Sequence, residues 1–171
     1  MSSEGKFIVQ RRFRLAKDSG EAGGDPVTWA ELADHPVVVV LGEPGAGKST
    51  ELEREAERTG GAFLSIREFL LPVGQEAWSG PLFLDGLDEV RASGGDRFSV
   101  LRQVVRKLVD LDRPQVRLSC RAADWFGELD RGDLAQAYSA DEIRIVEIQP
   151  LRDKDIERSS RRPASVNPLR F

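Results

Sequence analysis

"VVVVLGEPGAGKST", Val37 to Thr50, is an apolar run that turns into a glycine-rich loop. Four valines and a leucine with no polar interruption suit a strand covered on both faces, the setting of a parallel sheet. Gly42, Gly45 and Gly47 are expected to let the backbone take positive φ angles and approach a ligand closely. The loop N–H groups then face one concavity, a nest for an anion. A helix opening near Lys48 adds the positive end of its dipole. The spelling from Gly42 to Ser49 is GxxxxGKS, a phosphate cradle in which Lys48 reaches the β- and γ-phosphates and the Ser49 hydroxyl reaches Mg2+. Gly42, Glu43, Pro44, Gly45, Ala46, Gly47, Lys48, Ser49 and Thr50 are therefore the candidate nucleotide cradle, with Thr50 near the α-phosphate.

Working outward, the N-terminal "FIVQRRFRL" alternates as a strand does, and "AKDSGEAGGDP" reads as a loop. Arg11, Arg12 and Arg14 read as a polar strand face, with a partner or the phosphates as the other reading. "VTWAELADH" predicts a short helix capped by Thr28. The helix from Lys48 stops at Gly60–Gly61. "AFLSI", "PLFLD", "QVRLSC" and "IRIVEI" are further strands, and "REFLLPV" is a helical turn ended by Pro72. "DRFSVLRQVVRKLVDL" places Phe98, Leu101, Val104, Val105 and Leu108 on one helical face. Strands alternating with helices predict a mostly parallel α/β sheet.

Hydrolysis needs an acid at the end of a second buried strand. "PLFLDGLDEV" supplies Asp85, expected to hold Mg2+ through water. Asp88 and Glu89 follow by three and four positions. Glu89 is the candidate base and Asp88 the outer support of the metal, with the exchange of these roles left open. "QVRLSC" leads into Arg121, which faces the γ-phosphate if its strand lies between the other two; a surface salt bridge is the alternative.

"VVVVLGEPGAGKST", "LFLDGLDEV" and "VRLSCRAADW" together resemble the NACHT-type P-loop NTPases of the STAND class of signal-transduction ATPases. "TWAEL" and "IQPLRDKDIE" extend the resemblance over roughly residues 25–157. The alternating N-terminal segment is set apart as a strand and linker over 1–24 and the aperiodic end as a mobile tail over 158–171, and the resemblance implies a nucleotide-binding domain over 25–157. It also implies helices on both faces of a five-stranded parallel sheet of order 5-1-4-3-2, and a switch that is off with ADP and on with ATP. In bacteria such proteins are often anti-phage sensors. Relatives continue into a helical subdomain and a winged helix carrying a lid histidine. The expectation is a fragment, a truncated product or a stand-alone domain, with slow turnover and with self-association or separate sensor and effector domains as partners. "NPL" at Asn167 to Leu169 resembles a motif that lies later in the family.

The bulk numbers narrow the field. The 171 residues are 40% hydrophobic and 32% charged, with net charge −4, one cysteine and one histidine. That suits one folded domain in a reducing, cytoplasmic setting. Residues 21–151 carry 24 acidic against 14 basic side chains. An acidic centre disfavours a nucleic-acid surface, and no run is long enough to cross a membrane. The competing functions are a nucleotide-binding module without hydrolysis and a small-molecule kinase. The kinase is disfavoured by the two arginines in "CRAADWFGELDRGDL". Cys120 and His35 read as packing residues. Trp29, Trp78 and Trp125 read as separate anchors, with Trp29 and Pro26–Val27 also placed to flank an adenine.

Overall fold

The structure, a computed structural model, describes residues 10–17, 24–72 and 78–152. The tail expected over 158–171, with its "NPL", lies outside these residues. The strands are β1 (Phe13–Leu15), β2 (Val37–Leu41), β3 (Ala62–Ser65), β4 (Leu82–Asp85), β5 (Val116–Cys120) and β6 (Ile143–Ile148). The helices are α1 (Trp29–Leu32), α2 (Lys48–Thr59), α3 (Ile66–Leu70), α4 (Leu87–Ala92), α5 (Ser99–Asp110) and α6 (Glu128–Leu134).

Among the described residues the sheet has six strands in the order β1-β6-β2-β5-β4-β3. The expectation of five strands is thereby corrected. The departure is β1, which pairs antiparallel with β6 at the sheet edge, Phe13 opposite Ile148. The other pairings, β6 with β2, β2 with β5, β5 with β4 and β4 with β3, are all parallel. Val27 and Phe13 also exchange both backbone hydrogen bonds, tying the approach to α1 onto β1.

All five residues of β2 are buried, as its uninterrupted apolar run requires. Alternate residues feed two cores. Val37, Val39 and Leu41 face α3, α4, α5 and α6; Val38 and Val40 face α1 and α2. The sheet therefore carries helices on both faces. In α5 the buried set is Val100, Leu101, Val104, Val105 and Leu108. Each such burial is worth about 1.5–3 kcal/mol, against roughly 1–2 kcal/mol to fix one residue's backbone. The apolar face thus holds the helix. Phe98 is not on that face: it precedes the helix, is 45% exposed, and packs its ring on Phe126 instead. The buried Arg117 of β5 donates to the carbonyls of His35, Ala33 and Leu32, closing the far end of the sheet over α1.

Candidate functional site

The loop after β2 emerges where β5 and β6 end, and Gly42 N–H donates to Cys120 O at 3.3 Å. Gly42 does not adopt a positive φ, contrary to expectation. It is a contact glycine: a Cβ there would lie 2.6 Å from Ile148 Cγ2. Gly45 and Gly47, with φ of 78° and 90°, are the left-handed positions, and Gly47 caps α2. The Ala46 N–H donates to Glu43 O, which tightens the turn. Lys48 Nζ folds over the loop and donates to the carbonyls of Gly42 (2.7 Å) and Glu43 (3.0 Å). Ser49 and Thr50 are exposed at the head of α2, where a helix leaves its first N–H groups without intrahelical partners. Glu43, Pro44 and Gly45 are exposed as well.

β5 lies between β2 and β4, as the Arg121 expectation required. Adjacent strands stand about 4.8 Å apart, so the tips of β2 and β4 are separated by roughly 10 Å at one end of the sheet. Consecutive residues of β5 hold the two sides. Cys120 O takes the Gly42 N–H, while the Ser119 hydroxyl donates to Asp85 Oδ1 and accepts from Gly86 N–H at 2.9 Å. Gly86, at φ 83°, turns the chain into α4. The Glu89 carboxylate folds back over Gly86, 3.2 Å from where a Cβ would stand.

Asp88 is engaged by the neighbouring strand tip. Its Oδ1 accepts the Arg121 N–H at 3.1 Å, fixing the chain as it leaves β5. The Arg121 side chain is 47% exposed, with Nε 3.8 Å from Asp124 Oδ2. An exposed pair of that kind contributes about 0–1 kcal/mol. The guanidinium is thus held weakly beside its own turn and is free in energetic terms to swing.

Two contributors escaped the sequence reading. Ser119 is one; a lone hydroxyl inside an apolar strand was its visible signal. Arg91 is the second. Its guanidinium makes a bidentate pair with Asp130, both side chains 1% exposed, donates to Asp124 O at 2.6 Å and stacks on Phe126. It therefore ties α4, which carries Asp88 and Glu89, to the segment that follows Arg121. For Arg11, expected on a polar strand face with a partner or the phosphates as the other reading, the polar face is corrected. The residue is buried, and Nη2 donates to Ala46 O in the loop at 2.6 Å.

Trp29 is not a base platform. It is buried edge-on against Phe13, 4.7 Å between centroids, and its indole N–H donates to Glu51. Burial raises the Glu51 carboxyl above its ordinary range, and that hydrogen bond and Arg54 offset the shift in part. Burial also lowers the His35 imidazole, helped by Arg144 and Arg117. Arg11, Arg12, Pro26, Gln149 and Pro150 line a cleft on the Arg11 side of the loop.

Among the described residues no cluster of three or more His, Cys, Asp or Glu side chains forms a ready-made metal cage. Mg2+ does not need one: it takes oxygen donors and is commonly held by one or two carboxylates with phosphate and water. The all-oxygen pair of Asp85 and Ser49 fits that ion by donor chemistry. Among the described residues no helix is long and apolar enough to cross a membrane. Compared with protein-family models and with curated proteins, the chain finds no match.

Proposed function

We propose that the chain is a nucleotide-binding domain that holds ATP with Mg2+ and hydrolyses it slowly, as a switch of the NACHT-type P-loop NTPases does. The observation that carries this reading is the bridge on β5. Ser119 grips Asp85, and the next residue grips the glycine-rich loop. A polyphosphate on that loop thereby meets a carboxylate from a different strand. The order of the five parallel strands, β6-β2-β5-β4-β3, supports the same reading, since it corresponds to the 5-1-4-3-2 of that fold.

Gly42 to Thr50 supply the nest, Lys48 the mobile cation, and Ser49 and Asp85 the oxygen donors for Mg2+, which when bound neutralises phosphate charge. Glu89 orients the attacking water. Asp88 is the less suited base, because its carboxylate is engaged by the Arg121 N–H. Water adds in line to the γ-phosphorus as the bond to the bridging oxygen breaks, giving ADP and phosphate. Positioning and charge neutralisation carry the rate. Arg121 leaves its weak pair with Asp124 to meet the γ-phosphate. A cytoplasmic sensor role, in bacterial antiviral defence or elsewhere, belongs to the same reading.

The second reading is nucleotide binding without hydrolysis. The turning of Arg121 toward Asp124 favours it, because that arginine then plays no part in charge stabilisation. Phosphate release from the purified chain decides. The ATPase reading expects slow multiple turnover that Lys48→Ala and Asp85→Asn abolish, and Glu89→Gln abolishes while ADP still binds. Tight ADP binding with no phosphate release selects the second reading. No binding of either nucleotide ends both.

A further inference from the structure

Arg11 lies 35 positions before the loop residue that it holds. It reaches the loop because β1 runs antiparallel along β6, with Gln149 N–H donating to Arg12 O just beyond the paired residues. That register sets Arg11 at the edge where β6 and the glycine-rich loop meet. Its guanidinium packs flat on Gly47: Nη2, Nη1 and Cζ lie 3.7, 3.8 and 3.9 Å from where a Cβ would stand. Gly47 is the N-cap of the twelve-residue α2. The residue is 9% exposed, and Nε is buried without a hydrogen-bond partner among the described residues.

These contacts do not add up to a purely structural salt bridge. One hydrogen bond to a neutral carbonyl, Ala46 O, leaves the buried Nε unused and, among the described residues, no carboxylate hydrogen-bonded to the guanidinium. Desolvating a cation costs several kcal/mol unless a counter-charge meets it. Glu51, one turn into α2, is the acid whose field it shares, and the Glu51 carboxylate is held by the Trp29 indole and Arg54 instead. A cation held against the positive end of a helix dipole is misplaced unless an anion is bound there.

We propose that Arg11 is a further positioning residue for a polyphosphate: it clamps the loop through Ala46 O and adds a second cation beside Gly47. The inference rests on the phosphate-binding reading given above and deepens it. The cradle is completed by a residue from outside the parallel sheet. Affinity for any ligand with a di- or triphosphate group then draws on the Arg11 guanidinium itself.

The test measures binding of inorganic tripolyphosphate and of ADP with Mg2+ to the whole chain and its variants by calorimetry. Arg11→Met is expected to weaken both by about tenfold or more, the worth of one charge-assisted hydrogen bond. Arg11→Lys recovers part of that loss, since it keeps the charge but cannot lie flat on Gly47 while donating to Ala46 O. Leu15→Ala is the stability control. It loosens β1 without touching Arg11, and is expected to keep its affinity despite a lower unfolding midpoint. Native affinity in Arg11→Met overturns the proposal, and so does an equal loss in Leu15→Ala. If Lys48→Ala abolishes binding while Arg11→Met does not, the phosphate reading stands and Arg11 leaves it. If the native chain binds neither probe, both fall.

Discussion

The Ser119 hydroxyl donates to the Asp85 carboxylate while it accepts the Gly86 N–H, so one buried oxygen orients both the acid and the turn behind it. Ser119→Ala strands a buried N–H and frees the carboxylate to rotate. Losing partners of buried polar groups costs roughly 1–3 kcal/mol. Residues that orient a metal-binding carboxylate change metal affinity or activity by about 10–100-fold. The expected outcome is a modest fall in urea-unfolding free energy, together with a larger fall in Mg2+-dependent phosphate release. Unchanged release would detach Asp85 from the proposed chemistry.

Gly86 poses a sharper problem because φ is 83° there. A side chain in the left-handed region costs about 1–2 kcal/mol. The methyl of Gly86→Ala would also stand 3.2 Å from the Glu89 carboxylate. That carboxylate is the far end of a flexible chain, so it moves aside rather than breaking the fold. The variant is expected to stay folded with that small stability loss, to bind ADP normally and to release phosphate more slowly. Calorimetry and a phosphate assay on one preparation separate these effects.

Much of this architecture is local information. The unbroken "VVVVL", the Gly-Gly stop after α2 and the period-3.6 face of α5 each report on neighbours within a few positions, and β2, α2 and α5 form where they predict. What was not legible depends on strand order. Arg11 to Ala46, Ser119 to Asp85 and Arg91 to Asp130 span 35, 34 and 39 positions. No periodicity encodes which arginine of "RRFR" faces the loop; the antiparallel register of β1 on β6 decides it. Gly42 shows the same limit in another form. Its lack of a side chain serves Ile148 from the last strand and not its own φ. Phe98 fits the apolar period of α5 but falls before its first turn, where Phe126 offers the contact instead.

Arg91 and Asp130 form a fully enclosed ion pair. Removing one partner of such a pair costs about 3–5 kcal/mol, because the other charge stays buried. That is a large share of the roughly 5–15 kcal/mol that holds a domain together. Asp130 keeps the Phe126 N–H, but Arg91 also serves the carbonyls of Asp124 and Arg97. Arg91→Met is therefore expected to lower unfolding free energy by that amount. The double variant Arg91→Met, Asp130→Leu should recover part of it. A double variant no more stable than the single one would show that the carbonyl contacts, not the charge pair, carry the energy.

Glu51 gives the fold a pH response with a definite sign. Burial raises its carboxyl above the ordinary value, so the folded chain binds this proton more tightly than the unfolded chain does. Its contribution is fully present below the ordinary carboxylate value, and is lost as pH rises through the raised folded value. Glu51→Gln keeps a carbonyl acceptor for the Trp29 indole N–H and removes the titration. The difference in unfolding free energy, variant minus native, should rise with pH above about 4.5 and then level off. A flat difference from pH 4 to 7 would mean that Glu51 is not desolvated in the folded chain.

Cys120 reports on the site without touching a ligand. Its side chain is fully buried, and burial pushes the thiol up to about 12, with the Asp88 charge adding to the shift. Thiolate is the reactive form, so at pH 8 the folded chain should resist alkylation and label only when β5 opens. The Cys120 carbonyl also holds the Gly42 N–H, which makes opening of this strand tip incompatible with an intact glycine-rich loop. A ligand that needs the loop must therefore suppress labelling. At 100 times its Kd it should slow the reaction by about 100-fold if opening is in fast equilibrium. ADP with Mg2+ is expected to give that protection in the native chain and to lose it in Lys48→Ala. Labelling that is rapid in the folded chain, or blind to nucleotide at saturation, would break the link between the tip of β5 and the proposed phosphate cradle.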